Sequence, residues 1–360
     1  MAKVLIIGAG AIGRGFIPWC LSNKDEITFL DIDANLIKGL NKNKGYYTFL
    51  SDHISLHERF VNAKFYSFAD LNRLIEEIYD CCFIAVGPRN VEKLPNFISK
   101  IKAPIFSLEN DPETVTRIKE IFSINNVYFG VPDVITSSTA SFENLKRNKL
   151  SLHTEKGTLY LDSSANFSRE INLENTVFAD KEQLVREWDA KLYLHNTPHC
   201  IAAFLGAERN KTYVHEAMQV EEIKKIIEGV INEMLVCLSK ATSHDMKALK
   251  EYAKKELARF SDPNLFDPVK RVARHPLRKL RPYPNGRLVG ALELCLENGC
   301  DYSNLLRGIT SALKYNYCDD DDFFNISLID YYGIDQFLFH FLGIPPKSTT
   351  SKLISSSYEK

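Results

Sequence analysis

Apolar residues come in short unbroken runs through the first half of the chain and in helical rhythm through the second. Val4–Ile7, Ile27–Leu30, "CCFIAVG" (81–87), "APIFSLEN" (103–110) and "VYFGV" (127–131) have the length of strands buried on both faces. Helix-like stretches at 90–100 and 111–122 separate the later runs. Strands alternating with helices predict an α/β fold with a doubly wound, mainly parallel sheet. "LSLHTEKGTLYLD" (150–162) reads as a hairpin-type addition turning at Lys156-Gly157. A polar connection follows at 163–176, and from about 181 to 343 the apolar spacing is helical, most clearly at 221–238 and 244–260. The pattern predicts an α/β domain over 1–183, a mostly α-helical domain over 184–345 and a flexible, serine-rich tail over 346–360.

Composition narrows this picture only a little. At 360 residues the chain exceeds one small core, and two domains follow naturally. It is 45% hydrophobic and 25% charged, as soluble globular proteins are. A net charge of −1 gives no global field toward nucleic acid or membrane. No apolar run approaches the roughly 18 residues that cross a bilayer, and the start lacks a cleavable leader pattern. The eight cysteines are scattered with no C-x-x-C pair, the pattern of reduced packing thiols in a cytoplasmic protein without structural zinc. The acidic run Asp319–Asp322 is most simply a solvated loop. Whether the protein is a monomer or a small homo-oligomer is left open.

The first run changes the picture more. "KVLIIGAGAIGRGF" sets Gly8, Gly10 and Gly13 in G-x-G-x-x-G spacing directly after a strand. Gly8 would make the tight turn, Gly10 let a pyrophosphate approach the backbone, and Gly13 let a helix lie close to the sheet. Ala11 and Ile12 complete the loop, whose helix N-terminus offers N–H groups to phosphate. Asp31 ends the second run 18 residues after Gly13, where a carboxylate accepts the adenosine ribose hydroxyls. The run Asp31-Ile-Asp33 has no cation for a 2′-phosphate, so NAD is expected over NADP. The pattern predicts a Rossmann dinucleotide-binding domain, with a plain glycine-rich turn as the alternative. Val86, Gly87 and Pro88 are expected to turn at the cofactor crevice. Asn110, at the end of the next run, is placed either to touch substrate or to cap the following helix. Pro18 predicts a kink or a short first helix.

In the helical half, "KLYLHNTPH" (191–199) gathers a lysine, an asparagine and two histidines. Three readings compete. His195 and His199, four apart, suit zinc on a helix, but Pro198 disturbs the geometry and no third ligand is near in sequence. Pro198 would open a new helix with Thr197 as cap. In a purely structural reading Lys191 snorkels, Asn196 caps and the histidines pack. In a catalytic one Lys191, its pKa lowered by burial and nearby positive charge, moves a hydroxyl proton. Asn196 then donates to the same oxygen and His199 bonds a neighbouring hydroxyl. The stretch 269–287 carries seven Lys/Arg and no acid, which suits an anionic substrate group better than nucleic acid, with a solvated face as the alternative. Arg278 and Lys279 are the expected phosphate contacts, then Arg274. Arg14, after the third glycine, would serve either phosphate.

"KLYLHNTPH" resembles the K-x-x-x-x-N-x-x-H signature of the polyol-specific long-chain (mannitol) dehydrogenases. "GAGAIGRGF", "AVGP", "LEN" and "RFSDPNLFDPVKRVARHPLRKL" are similar to that family's segments in the same order. The resemblance implies a Rossmann domain joined to a mostly helical one, and metal-independent chemistry between mannitol 1-phosphate and fructose 6-phosphate with NAD(H). It implies Lys191 as general acid/base, Asn110 and Asn196 on the reacting oxygen, and His199 positioning substrate. Ala11 stands where phosphate-specific members carry Asn, and Ser137-Ser138 where the family has Asp-Arg, which leaves room for another polyol or sugar-acid substrate. The rivals are a hydroxyacid dehydrogenase, whose lysine-to-asparagine spacing is shorter, and a non-catalytic NAD-sensing protein.

Overall fold

The computed structural model describes all residues except 53, 243, 283–285, 319–322, 325 and 360, so the acidic run at 319–322 lies outside the described residues. The chain forms two compact units, residues 1–187 together with Asn264–Phe266, and Trp188–Pro263 together with 267–360. The passage between them falls inside the helix Lys181–Ala190.

Among the described residues, eleven strands build the first unit: β1 (Lys3–Ile7), β2 (Glu26–Asp31), β3 (Tyr46–Ser51), β4 (Leu56–Val61), β5 (Lys64–Ser67), β6 (Cys81–Ile84), β7 (Ile105–Ser107), β8 (Val127–Asp133), β9 (Leu152–Glu155), β10 (Thr158–Asp162) and β11 (Thr176–Ala179). Eight form one sheet in the order β11-β10-β8-β7-β6-β1-β2-β5, parallel except where β10 meets β8. Alternation along β1 explains why the runs are unbroken. Val4 and Ile6 join a core with Phe16, Phe29 and Phe106 on one face. Leu5 and Ile7 join Leu30, Ile84 and Ile105 on the other. Strand order reverses between β1 and β6, and a doubly wound sheet opens its ligand crevice beyond the carboxyl ends at that point.

The expected hairpin at 150–162 is not one. β9 pairs parallel with β3 in a separate sheet, β4-β3-β9, while β10 joins the large sheet beside β8. The Lys156-Gly157 turn therefore changes sheets. Lys156 N–H bonds the Ser51 carbonyl, and a Cβ on Gly157 would lie 2.5 Å from the Asp133 carbonyl oxygen. Both strands find partners distant in sequence, which local alternation cannot reveal.

The second unit is helical around Thr197–Glu208, which is apolar on nearly every side and buried from Thr197 to Gly206 apart from His199. Glu221–Ala241 and Ser303–Leu313 pack along it. The expected flexible tail is corrected as well. Thr349–Tyr358 is a helix, capped by the Ser348 hydroxyl and anchored by fully buried Ile354. Serine content suggested disorder, but four-residue spacing from Thr350 to Ile354 supplies a packed stripe. Among the described residues no helix is long and apolar enough to cross a membrane.

Candidate functional site

At the end of β1 the backbone of Gly8 takes φ +103°, and a Cβ there would lie 2.3 Å from the Ala85 carbonyl oxygen. A Cβ on Gly13 would lie 2.0 Å from the Gly8 oxygen, whereas one on Gly10 meets nothing within 4 Å. Gly8 and Gly13 are thus demanded by the fold, and Gly10 borders open space. Asp31 Oδ2 accepts from Ala9 N–H at 2.5 Å and Oδ1 from Asp33 N–H at 2.8 Å, which ties the end of β2 to the glycine loop. Gly8, Gly10, Asp31, Ile32, Phe68, Val86 and Asn90 line a pocket of about 200 Å³ at the strand switch. Glycine backbone, a carboxylate and apolar walls are what a dinucleotide's pyrophosphate, ribose and base require, so these residues fit such a group.

Ala11 and Ile12 lie in a six-residue π-helix, Ala11–Phe16, whose wide turn ends with Ile17 N–H on the Ile12 carbonyl. A 3-10 turn, Ile17–Cys20, follows and contains Pro18. Arg14, expected at either phosphate, is largely buried. It is 7% exposed, with Nε on the Ala9 carbonyl at 2.5 Å and Nη1 on the Leu150 carbonyl at 2.8 Å, and its guanidinium lies over the Tyr46 ring. Burial pulls this guanidinium below its ordinary pKa, while Tyr46 and Asp31 act the other way. These two bonds tie the glycine loop to the residues just ahead of β9.

Beyond β6, Gly87 takes φ +89° and Pro88 opens a 3-10 turn. Sequence reasoning missed what fixes this turn. Glu109 is buried, and its Oε1 accepts from Val86 N–H at 2.7 Å and Gly87 N–H at 2.9 Å. An acid closing an apolar strand was the available signal, since acids are seldom buried without a partner. Next to it, Asn110 is exposed. It is not the cap of the helix Glu113–Phe122, because Pro112 holds that position and Asp111 Oδ1 accepts from Glu113 N–H.

Lys191, Asn196 and His199 belong to the second unit, and Pro198 does not break their helix. The backbone stays right-handed helical from Lys181 to Glu208, with a π segment at Lys191–Asn196 closed by Thr197 N–H on the Leu192 carbonyl. Thr197 is no N-cap. It is fully buried in the helix, its hydroxyl reaching the Leu192 and Arg287 carbonyls at 3.0 and 2.6 Å. Widening the turn moves the carbonyls that the proline ring would strike, so the helix tolerates Pro198.

Lys191 is 4% exposed and Asn196 is 5% exposed. Asn196 Nδ2 is buried with no hydrogen-bond partner, a donor left over inside a protein. His199 Nε2 lies 2.8 Å from Asp267 Oδ2, off the hydrogen-bond direction, and Arg271 holds the other oxygen of that carboxylate. Burial pushes the Asp267 carboxyl up, but Arg271 and His199 outweigh it and hold it at about 2. His195, without an expected role, bonds the buried Glu256 through Nδ1.

The basic stretch divides. Lys279 is 8% exposed and its Nζ donates to the Arg274 carbonyl. Burial, helped by Arg287, lowers its ammonium to about 7. The ammonium of Lys279, expected at the phosphate, is thus turned inward on the Arg274 carbonyl. Arg274 is exposed and Arg278 half-buried.

Two regions of the chain match known protein families. Residues 2–103 match the mannitol dehydrogenase Rossmann domain and residues 186–335 the mannitol dehydrogenase C-terminal domain. Mannitol-1-phosphate 5-dehydrogenase of Clostridium acetobutylicum is 28% identical across 99% of this chain and 98% of its own. That of Mycoplasma pneumoniae is 29% identical across 89% of this chain and 88% of its own. Among solved structures, mannitol 2-dehydrogenase of Pseudomonas fluorescens, in ternary complex with NAD and D-mannitol, shares the fold. Its TM-score is 0.77 at 14% identity, covering 99% of this chain and 91% of that one. With both halves matched in order, the chain belongs to the mannitol dehydrogenase family and is an oxidoreductase.

Proposed function

We propose that the protein is an NAD-dependent, metal-independent polyol-phosphate dehydrogenase interconverting D-mannitol 1-phosphate and D-fructose 6-phosphate. The observation that carries this reading is the buried, unpartnered amide of Asn196, one helical stretch from the buried amine of Lys191. An orphaned buried donor costs about 1–3 kcal/mol, and a substrate oxygen would recover that. Relatives named mannitol-1-phosphate 5-dehydrogenase along nearly the whole chain support the substrate.

A nicotinamide dinucleotide, when bound, would exchange a hydride with the carbonyl carbon. Gly8, Gly10, Ala11, Ile12 and Gly13 would hold its pyrophosphate and Asp31 its adenosine ribose, with Val86, Gly87 and Pro88 flanking the crevice. Asp31 excludes a 2′-phosphate by charge. In reduction, protonated Lys191 gives its proton to the nascent alkoxide oxygen; in oxidation, neutral Lys191 takes the hydroxyl proton. Asn196 and Asn110 donate to that same oxygen. His199, steadied by Asp267, bonds a neighbouring hydroxyl. Arg278 and Arg274 take the phosphate, Lys279 securing the backbone of Arg274.

NADH oxidation followed with fructose 6-phosphate and with fructose tests the proposal. Wild type is expected to prefer the phosphorylated sugar, and Lys191→Ala to lose about 10²–10⁴ in rate. Activity is expected to survive exhaustive chelation. Equal rates on both sugars would remove the phosphate site, and undiminished Lys191→Ala would remove the mechanism.

A further inference from the structure

In the second unit two charge sets, each built on a buried carboxylate, meet at a pair of imidazoles. Glu256 is fully buried on the helix Met246–Phe260. One of its carboxylate oxygens takes the Arg259 guanidinium one turn later, and the other takes His195 Nδ1. His199 faces the second set, Asp267 with Arg271. The two rings lie 5.3 Å apart, and His199 is stacked on Phe260 at 5.3 Å with 1° between planes. Phe260 also lies 5.6 Å from His195. One helix thus supplies both the carboxylate that holds His195 and the ring that holds His199.

A buried ion pair is a poor way to stabilise a core, since hydrocarbon of similar volume does as well or better. Its chemistry here is directional. Arginine cannot give up its proton, so Glu256 beside it stays a carboxylate and only accepts. His195 Nδ1 must then donate, which fixes the tautomer and the plane of its ring. His199 Nε2 is buried against Asp267 without a hydrogen bond, so the nitrogen of His199 left to face another partner is Nδ1.

We propose that Arg259, Glu256 and His195 form a positioning device. It locks the His195 ring so that, with Phe260, it sets the His199 ring at the angle that presents Nδ1 to a substrate hydroxyl. The inference rests on His199 being the substrate-facing residue proposed above. His195 is a positioning residue, not a catalytic one. Its effect should fall on sugar binding, equally in ground and transition states, and should leave proton transfer by Lys191 alone.

The test compares His195→Phe, which keeps a ring but removes the donor, with His199→Ala and wild type. In His195→Phe the KM for fructose 6-phosphate is expected to rise about tenfold, the worth of one hydrogen bond, with kcat nearly unchanged. NADH affinity, read by fluorescence titration, should not move. A purely structural role would lower kcat and NADH affinity along with thermal stability, or leave KM untouched, and either result overturns the proposal. Should His195→Phe not fold, Glu256→Gln, whose amide oxygen would serve Arg259 and so turn its N–H2 toward Nδ1 and reverse the tautomer, reads the same split. If neither folds, the set is a folding element and the proposal falls. If His199→Ala leaves KM unchanged, the reading of His199 fails first. If His199→Ala raises KM and His195→Phe does not, only the positioning device fails.

Discussion

Asp267 shows how much one buried carboxylate can do. Held at about 2 by Arg271 and His199 against the pull of burial, it titrates below an ordinary aspartate. A group whose folded pKa is depressed stabilises the fold above its unfolded value and loses that contribution as pH falls toward the folded one. The pH-dependent part of the difference in unfolding free energy between wild type and Asp267→Asn should therefore be constant from pH 7 to about 4. It should then fade by about 2 kcal/mol as pH drops through 2. Urea unfolding at each pH measures it, and a difference that stayed flat throughout would contradict the assignment. At this scale the sequence was a partial guide. Lys191, Asn196 and His199 are recognisable by type and spacing. Arg14 and Lys279 are as basic on paper as Arg274, but only the fold decides that they turn inward. Glu256 lies 61 residues from His195, so no local pattern could join them.

Among elements, the two π segments share a design. Ala11–Phe16 and Lys191–Asn196 each end two residues before a proline, Pro18 or Pro198. Each also carries residues assigned to a site. A proline in a helix normally marks its break, and the sequence supports that expectation. A one-residue widening of the turn escapes local propensity because it is set by the backbone's response to the missing N–H and the bulky ring. The turn at Gly8 and the close approach at Gly13, by contrast, were legible, since steric contact dictates both. That contact yields a paired prediction. Gly10→Ala should fold and melt like wild type yet lose NADH binding by at least about tenfold, because its Cβ enters only the open space where pyrophosphate would lie. Gly13→Ala should lower the melting temperature by several degrees, because its Cβ meets the Gly8 oxygen. Calorimetry and fluorescence titration separate the two, and equal effects from both substitutions would count against the pyrophosphate assignment.

Taken whole, the molecule is less simply partitioned than its sequence. The change of hydrophobic period marks where sheet gives way to helices, but it does not show that the chain passes between units three times. Asn264–Phe266 belongs to the first unit although residues on both sides belong to the second. The strip is bonded there: Ser137 donates its hydroxyl to the Phe266 carbonyl, and His153 Nδ1 lies 3.0 Å from the Asn264 carbonyl with its ring against Phe266. Ser137 stands where the family pattern has a charged residue, and it owes its partner to this strip. For protein engineering this makes the strip part of any exchange between relatives. A chimera that joins this first unit to another member's helical unit at residue 187 inherits a foreign segment opposite Ser137 and His153, both buried. Such a recombinant should express poorly, and grafting Asn264–Phe266 alone into the donor half should restore soluble yield. The natural crossover point is thus a splice in two places.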